Sequence, residues 1–126
     1  MLPRNVQLQA HDCFDRQPFL GARAYYMRAL LHGQSDENCV QILREVARAV
    51  ATDSVLFIAE NVMPRDPTAR SRLTSHINLI MLYFGGKERT EVEFEALAET
   101  VGLEVVKVWR AEMSSMHSVV ECRLRR

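Results

Sequence analysis

Short apolar runs alternate with amphipathic stretches along this chain, and several of the runs have the length of a strand. Residues 5–14 (NVQLQAHDCF) alternate apolar and polar side chains, which predicts a strand. Residues 22–31 (ARAYYMRALL) are rich in aromatic and apolar side chains, which favours a buried strand. Residues 54–62 (SVLFIAENV) are mostly apolar on both faces, as a central strand of a covered parallel sheet requires.

A helix is predicted between the second and third of these runs. Ser35 is suited to the N-cap, and Asp36 and Glu37 place negative charge in the first turn, where the helix dipole favours it. Apolar side chains then recur at helical spacing, and they are Cys39, Leu43, Val46, Ala47 and Val50. The pattern therefore predicts an amphipathic helix.

Two further helices are predicted after a proline-containing loop. The first has an apolar face and ends at Gly85 and Gly86; this face comprises Leu73, Ile77, Ile80, Met81 and Phe84. The second starts with the capping-box spacing of Thr90 and Glu93, and Gly102 stands where a left-handed C-terminal cap belongs. Its apolar stripe comprises Phe94, Leu97, Ala98 and Val101.

Residues 103–109 and 118–124 are predicted to form an antiparallel pair of strands, joined by the connection 111–117. The order of elements is that of an α/β fold with an antiparallel end, and we expect residues 1–126 to form a single domain. Open sheets of this kind bind ligands at the carboxyl ends of their parallel strands. His32 and Glu60 are predicted to lie there.

Composition narrows the class of protein. The sixteen basic and sixteen acidic side chains balance, and no basic patch predicts nucleic-acid binding. Cys13, Cys39 and Cys122 lack the spacing of a disulfide framework or a metal site, which favours a reducing compartment. No apolar run is long enough for a membrane span and no signal peptide is recognisable, so we expect a cytoplasmic protein that binds no membrane.

Candidate chemistry is centred on His32. A neutral histidine beside a carboxylate can act as a general base, and Glu60 and Glu88 are the carboxylate candidates. The residue types alone leave simpler roles open: His32 can fill a corner between a strand and a helix, Glu60 can cap a loop, and Glu88 can be a solvated charge. His76 and His117 lack a suitable partner and are interpreted as helix-face and loop residues.

Two segments nevertheless resemble a known family. Residues 11–43, from HDCF to QIL, and residues 85–108 (GGKERTEVEFEALAETVGLEVVKV) are similar to the C-terminal part of S-adenosylmethionine-dependent O-methyltransferases of the caffeic acid type, especially fungal members of natural-product pathways. The resemblance implies part of a class I methyltransferase, Rossmann-like sheet. It would have an antiparallel C-terminal strand pair and would lack the first two strands and the glycine-rich loop.

The resemblance also implies roles for individual residues. The catalytic histidine of the family falls on His32, which would deprotonate a phenolic or enolic hydroxyl before methyl transfer. Its supporting glutamates fall on Glu60 and Glu88. No metal is implied.

Binding residues follow from the same resemblance. S-adenosylmethionine contacts near the adenine match Asp12 and Cys13, and Arg28 stands where a lysine is common. Met81 falls on a substrate-pocket position, and Tyr83 and Phe84 are expected close to it. Met81 and Phe84 also lie on the predicted apolar stripe, so a role in the core is the alternative for both.

The chain departs from the family pattern in two ways. Gly33 replaces the aspartate that usually follows the catalytic histidine, and no GxGxG loop occurs in these residues. The strands missing from the pattern would lie between the 5–14 strand and the 22–31 strand. We therefore expect an exposed sheet edge that a homo-oligomer or heteromer covers, unless the 5–14 strand closes directly onto the 22–31 strand.

Three functions remain open at this point. The first is methyl transfer to a hydroxylated aromatic or polyketide-like small molecule, with a partner chain completing the cofactor site. The second is cofactor-independent acid/base catalysis, by a cyclase, isomerase or dehydratase. The third is a non-catalytic pseudoenzyme subunit.

Overall fold

A computed structural model describes residues 3–111 and 114–126, without the side chains of 114–117. Its helices and strands follow one another as β1 (Ala24–Arg28), α1 (Asp36–Ala49), β2 (Val55–Glu60), β3 (Val62–Met63), α2 (Arg72–Tyr83), β4 (Arg89–Thr90), α3 (Glu91–Thr100), β5 (Leu103–Ala111) and β6 (Ser114–Leu124). Short 3₁₀ turns occur at Leu31–Gly33 and Pro67–Ala69.

The main sheet has four strands in the order β1-β2-β6-β5. β1 and β2 are parallel, with Ala24 opposite Val55, whereas β6 runs antiparallel to both β2 and β5. The predicted α/β fold with an antiparallel C-terminal strand pair is therefore confirmed. His117, predicted in a loop, lies within β6 instead, because this strand begins at Ser114 and continues the pairing with β5 beyond the predicted start.

Local signals set the ends of two helices as predicted. The Ser35 hydroxyl accepts a hydrogen bond from the Asn38 amide at 3.3 Å, which caps α1. The Glu93 carboxylate accepts from the Thr90 amide at 2.8 Å at the start of α3. Gly102, at φ +80°, follows α3 in the left-handed conformation that glycine adopts without strain.

The core lies between the sheet and the inner faces of α1 and α3. Its fully buried members include Leu31, Ile42, Leu43, Leu56, Leu103 and Val120. Each side chain of this size contributes roughly 1.5–3 kcal/mol when it leaves water. These contacts hold β1, β2 and the turn after β1 in fixed relative positions.

The predicted strand over residues 5–14 is wrong, because residues 3–23 form turns and irregular backbone. Alternation of apolar and polar side chains specifies two faces but no neighbouring strand, and local hydrogen bonds form here instead. The Val6 amide donates to the Pro3 carbonyl at 3.0 Å, and the Asp12 carboxylate accepts from the Phe14 amide at 3.0 Å. The segment does not close onto β1, whose outer edge has no strand partner among the described residues.

The second helix forms where predicted, but its apolar face is not buried. Thr74 is the buried residue of α2, whereas Leu73, Ile80 and Phe84 are exposed. Ile77 and Met81 of the stripe are half-buried, and the rest of it is exposed because α2 lies at the periphery of the described residues. Among the described residues, no helix combines the length and apolar character needed to cross a lipid bilayer.

Candidate active site

His32 lies in the 3₁₀ turn that follows β1, and Glu60 is the last residue of β2. Because these strands are neighbours and parallel, their carboxyl ends meet at one edge of the sheet. Ala29 turns the chain there with φ +49°, a left-handed conformation that is uncommon outside glycine. The turn carries His32 back over the end of β2.

Glu60 ties this turn to β2. Its Oε1 accepts hydrogen bonds from the Leu30 amide at 2.9 Å and the Leu31 amide at 2.8 Å. Its Oε2 lies 3.8 Å from His32 Nδ1. Glu60 therefore fixes the position of the turn and also places negative charge next to the imidazole.

Glu88 makes the closer contact with the imidazole. The distance between His32 Nδ1 and Glu88 Oε1 is 3.0 Å. The short parallel pair β3–β4, with Val62 opposite Arg89, brings Glu88 to the end of β2, and its amide donates to Asn78 Oδ1 at 2.9 Å. Burial raises the pKa of the Glu88 carboxyl and the charge of Glu60 raises it further, while the contact with His32 opposes the rise.

Arg89 clamps the loop of Glu88 to the turn of His32. Its side chain is 1% exposed and donates to the Leu31 carbonyl at 2.8 Å and to the Gln34 carbonyl at 2.9 Å. It also binds the Asp36 carboxylate, with Nη2–Oδ1 at 2.8 Å and Nε–Oδ1 at 3.0 Å. Arg89 thus holds the backbone on both sides of His32, while its neighbour Glu88 holds the ring.

The two glycines near His32 differ in their surroundings. A Cβ at Gly86 would overlap the His32 carbonyl oxygen and lie 2.8 Å from the Gly33 carbonyl carbon. A Cβ at Gly33 would meet nothing within 4 Å. Only glycine at position 86 therefore allows the two loops to approach this closely.

A cavity of about 310 Å³ opens onto these groups. Its walls include His32, Glu60 and Glu88, together with Tyr26, Arg28, Ala29, Ala59, Asn61, Ile77, Ser118 and Val119. The Asn61 side chain is buried, and neither its oxygen nor its nitrogen has a hydrogen-bond partner among the described residues. The cavity combines a half-buried imidazole, two buried carboxylates and an apolar wall, which is a composition typical of small-molecule sites.

The predicted binding residues are distributed around this site. Arg28 shares the cavity with His32, whereas Cys13 lines a separate cavity of about 190 Å³ beside Tyr25 and Tyr26. Burial, reinforced by the charge of Asp12, raises the pKa of the Cys13 thiol, so this thiol is protonated at neutral pH. Asp12 itself is exposed.

The predicted substrate residues lie at the end of α2. Tyr83 and Phe84 are 86% and 70% exposed, and their rings meet edge to face with centroids 5.4 Å apart. Met81 is half-buried. None of these three side chains is among the described residues that line the His32 cavity, and their role in substrate binding stays a prediction.

Residues 2–104 match the model of an O-methyltransferase domain. The chain belongs to this O-methyltransferase family. It is 38% identical over 117 residues to the O-methyltransferase hmp5 of Hypomyces subiculosus, and the aligned region is 92% of this chain and 29% of that protein. It is 40% identical over 103 residues to the demethylsterigmatocystin 6-O-methyltransferase stcP of Emericella nidulans, and the aligned region is 81% of this chain and 50% of that protein.

Solved structures agree with this family. The mitomycin 7-O-methyltransferase MmcR superposes with a TM-score of 0.82 at 34% identity, over 90% of this chain and 32% of that chain. LepI, solved in complex with S-adenosylmethionine, superposes with a TM-score of 0.91 at 23% identity, which shows likeness of fold. This O-methyltransferase-family chain spans less than a third of hmp5 and half of stcP.

Two residues of this candidate site were not singled out from the sequence. Asn61 directly follows Glu60 at the end of a predicted strand, and that position could have drawn attention to it. Arg89 lies within the GGKERT segment, but its partners are more than 50 residues away in sequence. No local pattern indicates such a contact.

Proposed function

We propose that this chain takes part in methyl transfer to a hydroxyl group of an aromatic or polyketide-like small molecule, with His32 as the general base. The observation that carries the proposal is the 3.0 Å contact between His32 Nδ1 and Glu88 Oε1 inside a cavity. The names of the relatives support the substrate class, since stcP acts on demethylsterigmatocystin and MmcR on mitomycin.

The arrangement supports Nε2 of His32 as the nitrogen that acts as the base. A carboxylate only accepts hydrogen bonds, so Nδ1 carries the ring proton and donates a hydrogen bond to Glu88. The Nε2 lone pair is then free to take the proton of a substrate hydroxyl. Glu60 and Glu88 stabilise the imidazolium that forms, because both carboxylates lie within 4 Å of Nδ1.

The cavity suits a small substrate. Its volume of about 310 Å³ lies at the low end of the range of roughly 300–1,000 Å³ that is usual for ligand pockets. Tyr26 and Ile77 offer apolar contacts, and Arg28 and Asn61 offer hydrogen bonds. In this proposal Met81, Tyr83 and Phe84 extend the pocket from the end of α2.

The chain's own residues fit only part of S-adenosylmethionine. The cavity beside Cys13, of about 190 Å³, is smaller than the roughly 300 Å³ at which ligand pockets begin. Asp12, Cys13 and Arg28 would contact the cofactor, which supplies the methyl group when bound. The remaining contacts would come from residues outside these 126, and a partner chain is one source of them.

A chromogenic phenol tests the base without the cofactor. We expect 4-nitrophenol bound to the chain to ionise at a lower pH than free 4-nitrophenol, because His32 accepts its proton. His32→Gln should return the midpoint of the absorbance titration to the free value. His76→Gln is the matched control, since His76 is exposed and its Nδ1 contacts the Arg72 carbonyl at 2.8 Å, away from the cavity. Equal midpoints in the wild-type chain and His32→Gln would refute the base assignment.

Cofactor-independent acid/base catalysis is the second candidate, because the His32 site is assembled while the family resemblance assigns cofactor contacts to only Asp12, Cys13 and Arg28 of this chain. Calorimetric titration of S-adenosylmethionine separates the two candidates. Binding, together with a methylated phenol detected by mass spectrometry, would favour methyl transfer. Phenol ionisation that depends on His32, without cofactor binding under any condition, would favour the second candidate.

A further inference from the structure

The two glutamates of the active site have unused bonding capacity. Their side chains are each 1% exposed, yet Glu60 Oε2 and Glu88 Oε2 have no hydrogen-bond partner in the part of the chain that the structure describes. A buried carboxylate oxygen without a partner costs free energy, and a single imidazole carries at most one positive charge for two carboxylates. The pair is therefore short of positive charge.

The same groups have the spacing of metal ligands. One ligand atom from each of His32, Glu60 and Glu88 lies within 4.8 Å of the others, and among the described residues no other such group occurs. Nδ1 is 3.0 Å from Glu88 Oε1 and 3.8 Å from Glu60 Oε2. Ligands about 2.0–2.2 Å from a tetrahedral Zn²⁺ are separated by roughly 3.4 Å, close to these distances.

Asn61 provides an independent indication of a ligand. Its side chain is 6% exposed, both of its polar atoms lack a hydrogen-bond partner within the described ranges 3–111 and 114–126, and it lines the cavity directly after Glu60. An amide oxygen is a suitable additional donor for a cation. One imidazole nitrogen among carboxylate oxygens favours a divalent transition metal over Mg²⁺ or Ca²⁺, which prefer oxygen ligands.

We propose that His32, Glu60 and Glu88 bind a divalent transition-metal ion such as Zn²⁺, and that this ion switches off the base. The metal takes the Nδ1 lone pair. Because a neutral imidazole has one N–H group, its proton then resides on Nε2, where a lone pair is needed to accept a substrate proton. Inhibition rests on the proposed function, whereas metal binding does not.

The cysteines are poor competitors for this ion. Burial raises the pKa of Cys39 to about 11 and that of Cys122 to about 12, so both thiols stay protonated. Arg28 also lines the cavity, but it is exposed and water screens its charge. Burial raises the pKa of Glu88 and the charge of the buried Arg89 guanidinium lowers it, but this guanidinium is already paired with Asp36. The two carboxylates therefore favour a cation in the cavity.

The test is a titration of Zn²⁺ and Co²⁺ into the full chain after chelator treatment. We expect one Zn²⁺ site by calorimetry and a Co²⁺ spectrum without a thiolate charge-transfer band. His32→Gln, Glu60→Gln and Glu88→Gln should each weaken binding by roughly tenfold or more, while His76→Gln should bind as the wild type does. Circular dichroism checks that each variant is folded. Because three separate variants are made, the test can still be read if one of them does not fold.

The outcomes are distinct. Absence of a site, a thiolate band, or equal affinity in the wild type and all three variants would overturn the metal proposal. Saturating Zn²⁺ that leaves the His32-dependent ionisation of bound 4-nitrophenol unchanged would overturn the switch. If metal binding depends on the three residues but phenol ionisation does not depend on His32, the metal site stands and the general base is refuted.

Discussion

Gly86 is the residue at which the two loops of the active site touch. Gly86→Ala places a methyl group against the His32 carbonyl, so the loops must separate. We expect the free energy of unfolding in urea to fall by about 1–3 kcal/mol and the ionisation midpoint of bound 4-nitrophenol to move towards the free value. Gly33→Ala is the matched control, because its Cβ enters open space. Equal stability of the two variants would contradict the close approach.

At the scale of elements, Arg89 joins β4 to the start of α1 and to the turn after β1. Arg89→Ala removes the donors to the Leu31 and Gln34 carbonyls, and we expect it to lower the free energy of unfolding by at least about 2 kcal/mol. Arg89→Lys keeps the charge but cannot reach all of these acceptors, so it should shift the phenol midpoint while the chain remains folded.

Arg125→Ala is the control for this clamp. Arg125 forms an exposed ion pair with Glu99 at 3.9 Å, and such pairs contribute about 0–1 kcal/mol. Denaturation in urea gives the free energy of unfolding of Arg89→Ala, Arg89→Lys and Arg125→Ala. A cost for Arg89→Ala as small as that for Arg125→Ala would show that the buried guanidinium does not hold the elements together.

Elements with local signals were predicted well from the sequence. Ser35 caps α1 and Gly102 follows α3 as expected, because a cap depends on residues within one turn of each other. The strand over residues 5–14 was not predictable in this way, since a strand forms only where another strand pairs with it. Its alternating pattern carries no information about that partner.

The site shows the same division. His32 and Glu60 were predicted to lie close together, because the carboxyl ends of neighbouring parallel strands meet at one edge of a sheet. Glu88 was a carboxylate candidate from the residue types, but only the family resemblance gave it a role beside His32, and Arg89 and Asn61 were not singled out. Their positions follow from the pairing of β3 with β4, which are too short to be recognised in the sequence.

At the scale of the whole molecule, the apolar surface of α2 and the outer edge of β1 are both uncovered by the described residues. Leu79 is 66% exposed, so Leu79→Gln should change the free energy of unfolding by less than about 0.5 kcal/mol and reduce self-association in size-exclusion chromatography. Leu43→Gln, the same substitution at a buried position of α1, should cost at least about 2 kcal/mol.

A large loss of stability in Leu79→Gln would show that α2 is packed against another element. The expectation that an oligomer covers the edge of β1 remains a prediction, and the Leu79→Gln chromatogram also bears on it. If the wild type elutes as an oligomer and Leu79→Gln does not, α2 contributes to the contact. If both elute as the same oligomer, the contact lies elsewhere, and the edge of β1 is the next surface to test.

The bond between His32 and Glu88 joins residues 56 positions apart in the chain. Closing so long a loop is entropically unfavourable, so we expect this contact to form after the local turns of α1 and α3. The site should then assemble only once distant parts of the chain have come together. A partly folded chain can thus have native helical content by circular dichroism before His32 and Glu88 are in contact.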